Sequence, residues 1–190
     1  MLLVVRHGET EPNVSGLFLG RADPPLTDLG RRQAGAIAAA LPRPDLVISS
    51  PLRRAQETAA AFGQPVEVDE RWIELDYGEL DGTSPSAVPA EMRQRWLRDP
   101  SFAPPGGESL DLLAARVGAA CNEVTGRAAW STIVVVTHVS PIKAALAWAL
   151  DAPVEIAWRM YVEDAGVSRI DVGPDGPVVR WFNRGVPLTG

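Results

Sequence analysis

Short apolar runs alternate with helix-period stretches along the first half of the chain. Residues 2–5, LLVV, form an unbroken apolar run of the kind a strand buried on both faces needs. Ala34, Ile37, Ala38 and Leu41 then recur at i, i+3, i+4 and i+7, behind Thr27 and Asp28, which can cap a helix. PRPD at 42–45 breaks that helix, and LVI at 46–48 predicts the next strand. Leu52, Ala55, Ala59 and Phe62 mark one face of a second helix, closed by Gly63 and Pro65, and 65–68 predicts a short third strand.

The second half repeats the pattern with longer pieces. Residues 78–107 are irregular and rich in Gly and Pro, with a helix expected around 90–97. Ser109 can cap a long helix that keeps Leu110, Leu113, Ala114, Val117 and Val124 on one face. TIVVV at 132–136 is the strongest strand, and it feeds a helix expected to start at Pro141, with Ile142, Ala145, Leu146 and Ala149 inward. Residues 167–172 and 178–182 read as a hairpin about the turn GPDG at 173–176.

Strands joined by helical crossovers predict an α/β fold of three layers, α/β/α, with a mostly parallel central sheet and antiparallel strands added at its edge by the hairpin. The length of 190 residues and a hydrophobic content of 46% suit one domain over 1–190. A formal net charge of −6 argues against a nucleic-acid partner. It also means that any hold on an anion must come from local arginines and not from the overall field. The single cysteine, Cys121, leaves no internal disulfide framework and no four-cysteine metal site. The N-terminus reads as a strand and not as a signal peptide, and no apolar run approaches the roughly 18 residues that cross a bilayer. The expectation is a cytoplasmic chain with no membrane partner, no metal and no cofactor. The six tryptophans, Trp72, Trp96, Trp130, Trp148, Trp158 and Trp181, are expected in core or rim packing; oligomeric state is not readable.

Ligands of such sheets bind beyond the carboxyl ends of the strands. Those ends carry Arg6-His7-Gly8-Glu9-Thr10 with Asn13 beyond, then Ser49-Ser50-Pro51-Leu52-Arg53-Arg54, then Thr137-His138. The chain has 2 histidines, and both fall there. Either alone would be an ordinary loop or core imidazole; the pair with adjacent arginines points to a site. Guanidinium forks suit the oxygens of a phosphate monoester. A neutral imidazole can attack phosphorus and divide a hard displacement into two easier ones. Arg6 and Arg54 should help keep His7 neutral. A leaving alkoxide also needs an acid, and WIELDYGELDG at 72–82 offers Glu74, Asp76, Glu79 and Asp81.

RHGET, GRADPPLTDLGRRQA, SSPLRRAQETA, ELDYGELDG, PPGGES and VVTHVSPIK, in this order over nearly the whole chain, resemble the histidine phosphatase superfamily, or phosphoglycerate mutase-like family. Within it the likeness is to alpha-ribazole phosphatases and to the phosphatase domain fused to ribonuclease H in some actinobacterial proteins. The resemblance implies His7 as the phosphorylated nucleophile, Arg6 and Arg54 as the phosphoryl clamp, His138 as a second histidine donating to the phosphoryl group, and Glu74 as general acid and base. It places Asn13, Gly8 and Thr137 around the substrate, with Gly8 needed where the backbone approaches His7, and Arg21 either at the site mouth or in a structural salt bridge. Arg53 is expected on an exposed helix face, Glu79 and Asp81 in a solvated turn, and Glu108 either at the substrate entrance or at a helix start. Many members have two glycines after the second histidine; Val139 and Ser140 stand there here, which either narrows the pocket or removes a close backbone approach to phosphate and leaves the substrate preference open.

The implied activity is hydrolysis of a small-molecule phosphate monoester through a phosphohistidine. A mutase of the phosphoglycerate type is the first alternative, disfavoured by the compact segment after Gly82. A non-catalytic binding protein of the same fold is the second.

Overall fold

The computed structural model describes residues 1–128 and 131–188, so Trp130 lies outside the described residues. Its elements are β1 (Leu2–Arg6), α1 (Glu11–Val14), α2 (Asp28–Ala40), β2 (Leu46–Ser49), α3 (Arg53–Ala60), β3 (Val66–Val68), α4 (Ala90–Arg98), α5 (Leu110–Ala128), β4 (Ile133–Thr137), α6 (Val139–Ala149), β5 (Val167–Gly173) and β6 (Gly176–Arg184), with short 3-10 turns between. The sheet order is β3-β2-β4-β1-β5-β6. β1 to β4 are mutually parallel, and β5 and β6 run antiparallel at one edge, as the hairpin pattern implied.

Every residue of β1 and β4 is buried, because these central strands are covered on both faces. Alternate side chains divide between two cores. Leu2, Val4, Ile133 and Val135 pack with α5 and α6 through Leu113, Val117, Ile142 and Leu146. Leu3, Val5, Val134 and Val136 pack on the other face with Ile37 of α2 and Ala55 and Ala59 of α3. The three-layer arrangement follows from that division.

Local chemistry sets the helix ends. The Thr27 hydroxyl accepts from the Gly30 N–H at 3.0 Å, and the Ser109 hydroxyl accepts from the Leu112 N–H at 3.3 Å. One boundary differs from the sequence expectation: α6 begins at Val139, two residues before Pro141, with His138 as its N-cap. Proline at the third position costs no helical hydrogen bond, since the first-turn N–H groups have no intrahelical acceptor. Trp72 and Trp96 are core residues, while Trp158 is 37% exposed.

Candidate active site

β2, β4 and β1 are neighbours and end on the same side of the sheet. The register sets Arg6 opposite Thr137, so the residues that follow, His7 and His138, leave the sheet side by side. Their ring centroids are 5.0 Å apart. The His7 N–H donates to the Thr137 carbonyl and the Ser50 N–H to the Val136 carbonyl, each at 3.0 Å, which extends the ladder into the site.

His7 is 2% exposed. Its Nδ1 lies 2.7 Å from the Gly8 carbonyl oxygen, which can only accept, so Nδ1 carries the proton. In the neutral ring Nε2 then holds the free lone pair. Burial, and after it the charges of Arg54 and Arg6, hold the His7 pKa well below the usual histidine value; the Gly8 carbonyl opposes them. The ring is therefore neutral at neutral pH, with the Nε2 lone pair free.

Arg6 is anchored by one end of its fork. Nη1 donates to the Val162 carbonyl at 2.6 Å and Nη2 pairs with Asp164 at 2.6 Å. Its buried Nε–H has no partner among the described residues, a donor left over for an oxyanion. Arg54 is wholly buried, and Nη1 and Nη2 donate to the carbonyls of Ala22 at 2.7 Å and Gly20 at 2.9 Å. Burial pulls its pKa down to about 10, with Glu74, Asp23 and Asp81 acting against the fall, so it stays charged at neutral pH.

Arg54 Nε donates to Nδ1 of His138 at 3.2 Å. His138 Nδ1 must be the acceptor there, so Nε2 carries the ring proton and donates to the Ser50 hydroxyl at 2.7 Å. Burial, then Arg54, His7 and Arg6, keep the His138 pKa well below the usual value. In this arrangement neither ring nitrogen of His138 has a proton free for a phosphoryl oxygen; donation requires the Nε2 proton to leave Ser50 or the Arg54 Nε–H to leave Nδ1.

Glu74 is 3% exposed. Its Oε1 accepts from the Leu75 N–H at 2.7 Å and the Ser140 N–H at 3.1 Å, while Oε2 has only a longer contact to Ser140 at 3.4 Å. The Leu75 N–H and the N-terminus of α6 thus hold one carboxyl oxygen and leave the other less engaged. A cavity of about 110 Å³ joins Arg6, His7 and Glu74, lined also by Asn13, Leu17, Phe18, Leu19, Tyr77 and Val139; the wholly buried Arg54 and His138 lie behind this lining. Asn13 accepts from the Thr10 hydroxyl and N–H through Oδ1, which leaves its amide hydrogens for a ligand. Val139 forms part of the cavity wall, where a glycine would leave more room.

Other expectations change. Gly8 is needed for a different neighbour: a Cβ there would strike the Gly30 carbonyl of α2, and its own N–H is taken by Thr58 at 3.0 Å. Its carbonyl, by fixing the His7 tautomer, is what serves the site. Thr137 does not line the cavity; its wholly buried hydroxyl donates to the Trp72 carbonyl. Arg21 takes the salt-bridge alternative, with long ion pairs of 3.8 Å to Asp76 and 3.7 Å to Glu108, and is 36% exposed. Glu108 grips Arg116 at 2.7 and 2.9 Å and lies outside the cavity lining. Asp81 is not solvated in a turn: it accepts three backbone N–H groups, from Gly20, Arg21 and Ala22. Arg53 is exposed and pairs with Glu57, and Glu79 is exposed, both as expected.

Sequence reasoning missed Ser50, Thr58, Val162 and Asp164. Ser50 stood in a strand-end motif and could have been weighed as a histidine partner. Asp164 lies 158 positions after Arg6 with no local signal to join them.

A family model described as the histidine phosphatase superfamily, branch 1, matches residues 2–185. The chain belongs to the histidine phosphatase superfamily. A bifunctional protein of Mycobacterium tuberculosis is 37% identical over 185 residues, covering 92% of this chain and 51% of that protein. The chain thus spans about half the length of the first curated relatives it matches. A glucosyl-3-phosphoglycerate phosphatase of Mycolicibacterium vanbaalenii is 36% identical over 205 residues, covering 95% of this chain and 91% of that protein. Among solved structures, a putative alpha-ribazole-5'-P phosphatase from Escherichia coli superposes with a TM-score of 0.84 at 27% identity, over 99% of this chain and 98% of that one. This histidine phosphatase superfamily member therefore shares both sequence and fold with small-molecule phosphatases. Among its described residues no helix is long and apolar enough to cross a membrane, and no three His, Cys, Asp or Glu side chains are grouped to hold a metal ion.

Proposed function

We propose that the protein hydrolyses a small-molecule phosphate monoester through a phosphohistidine on Nε2 of His7, without a metal. One observation carries the reading: the Gly8 carbonyl fixes the proton of His7 on Nδ1, so the unprotonated Nε2 belongs to a buried ring beside two arginines.

The Nε2 lone pair attacks phosphorus while the bond to the ester oxygen breaks. Glu74 acts through Oε2 as the acid that supplies a proton to the departing alkoxide. The carboxylate so formed takes a proton from water; that oxygen attacks phosphorus, the P–Nε2 bond breaks, and inorganic phosphate leaves. The free Nε–H of Arg6 and the remaining Arg54 hydrogens serve the equatorial oxygens, where charge stabilisation counts most. A cavity of about 110 Å³ suits the phosphoryl group and the first atoms of its alcohol, and its rim of Leu17, Phe18, Leu19, Tyr77 and Val139 favours a small organic leaving group. The names of the relatives support the same substrate size.

A panel of phosphate monoesters assayed for phosphate release, with EDTA present, tests the reading. Turnover by the wild type in EDTA and its loss in His7→Ala are expected. Full activity in His7→Ala, or loss of wild-type activity in EDTA with recovery on adding a divalent cation, would overturn it.

A further inference from the structure

The segment Leu19–Ala22 lies between two charged side chains. On its N–H side, Asp81 Oδ1 accepts from Gly20 at 2.8 Å, and Oδ2 accepts from Arg21 and Ala22 at 2.9 Å each. On its carbonyl side, Arg54 donates to Gly20 at 2.9 Å, to Ala22 at 2.7 Å and, weakly, to Leu19 at 3.5 Å. The Leu19 carbonyl and the Gly20 N–H belong to one peptide group, and the Gly20 carbonyl and the Arg21 N–H to the next. Two consecutive peptide units therefore bridge a carboxylate to a guanidinium, positive end toward Asp81 and negative end toward Arg54.

We propose that Asp81 is a positioning residue for the phosphoryl clamp, acting on Arg54 through the peptide groups of Leu19–Ala22. This inference rests on the proposed role of Arg54 in holding the phosphoryl group.

The physical case has three parts. Charge-assisted hydrogen bonds to a carboxylate are stronger than neutral ones, so Asp81 fixes the direction in which these carbonyls point. Hydrogen bonds in series polarise one another in a low-dielectric interior, which makes the same carbonyls better acceptors for the Arg54 fork. Asp81 itself is held close to the cavity, because Gly82 N–H donates to the Phe18 carbonyl and Phe18 N–H to the Thr83 carbonyl, both at 2.8 Å. Gly20 has no room for a side chain: a Cβ would lie 2.9 Å from the Leu75 carbonyl, in the segment just after Glu74. The strap thus cannot drift without disturbing either Arg54 or the acid. Leu19, which lines the cavity, is part of it.

The test is a double-mutant cycle on orthovanadate affinity in wild type, Asp81→Asn, Arg54→Ala and the double variant. If Asp81 acts through Arg54, Asp81→Asn weakens vanadate about tenfold, and adds less than about twofold in the Arg54→Ala background. A second readout needs no ligand: the Arg54 Nε–H resonance of the free protein should lose exchange protection in Asp81→Asn. Should Asp81→Asn fail to fold, Asp81→Glu, which keeps the charge on a longer arm, is read in the same cycle with a smaller change in the same direction. Unchanged vanadate affinity together with unchanged Arg54 protection would overturn the proposal, as would fully additive effects. Coupling between the two residues in a protein that hydrolyses no ester would instead leave the positioning role standing and remove the hydrolytic reading.

Discussion

Arg54 Nε donates to His138 Nδ1 at 3.2 Å, and this bond decides which of the two ring nitrogens of His138 is protonated. With Nδ1 accepting, the Nε2 proton goes to Ser50, and His138 is neutral. An anion beside the ring favours the imidazolium, so oxyanion binding should turn the Arg54 Nε–H toward the anion and bring a proton to the Nδ1 it vacates. Calorimetric titration with vanadate at pH 7 in buffers of different ionisation enthalpy should register proton uptake, and affinity should rise as pH falls toward 6. Absence of uptake in every buffer would mean that His138 remains an acceptor in the complex.

The two histidines also predict how stability depends on pH. Both have folded-state pKa values well below the unfolded value, so the unfolded chain binds protons that the native state refuses. Stability from this source is complete above about pH 6.5 and is lost as pH falls from there toward the folded pKa values. Two such groups give a slope of at most about 2.7 kcal/mol per pH unit between roughly pH 6 and 5. Urea denaturation across that range should show the decline, and His138→Gln should reduce its slope. A flat profile would contradict neutral burial.

Arg6 is not replaceable by lysine. An ammonium at the end of a flexible stem cannot engage Val162 and Asp164 with one end and keep a side-on N–H for the substrate. Arg6→Lys should lower kcat by about 10²–10³, the usual effect of removing one transition-state donor. Asp164→Asn, which keeps the shape and removes the ion pair, should cost less. Steady-state kinetics on one ester orders the two.

Glu74→Gln retains an acceptor for the Leu75 and Ser140 N–H groups but has no proton to give. The loss should reach about 10²–10⁴-fold for alkyl esters and be much smaller for p-nitrophenyl phosphate, whose leaving group needs little protonation. Equal losses on both substrates would assign Glu74 another role.

Gly8 and Gly30 meet backbone to backbone: a Cβ on Gly8 would strike the Gly30 carbonyl, and one on Gly30 the Glu9 carbonyl. Gly8→Ala should destabilise by about 1–3 kcal/mol and impair turnover, because the displaced loop carries the carbonyl that sets the His7 tautomer. Gly35→Ala, where a Cβ meets nothing within 4 Å, should cost no stability. Paired thermal melts and rate measurements check both.

Periodicity carried most of the fold because each strand and helix here buries a face whose spacing is set by its own geometry. The runs at 2–5 and 132–136 became the central strands, and the caps at Thr27 and Ser109 are where the pattern put them. Pro141 misled the start of α6, since a proline is tolerated throughout the first turn and not only at its first position. The groups at the strand ends, His7, His138, Arg6 and Arg54, were legible because chemistry and strand position coincided. Asp81, Asp164 and Ser50 were harder: each acts through a contact that is long-range in sequence, and a carboxylate that accepts backbone N–H groups looks, in sequence, like one that faces water. Gly8 and Thr137 show the converse, residues in a motif whose side-chain space is taken by packing and by the Trp72 carbonyl.

The most direct measurement is to quench the enzyme in alkaline denaturant during turnover of a phosphate ester and locate any phosphoryl group on the digested chain. The account predicts an acid-labile phosphoramidate on the peptide bearing His7, absent from His7→Asn. A phosphoryl group on any other residue, or rapid turnover with His7 unmodified at every quench time, would contradict it.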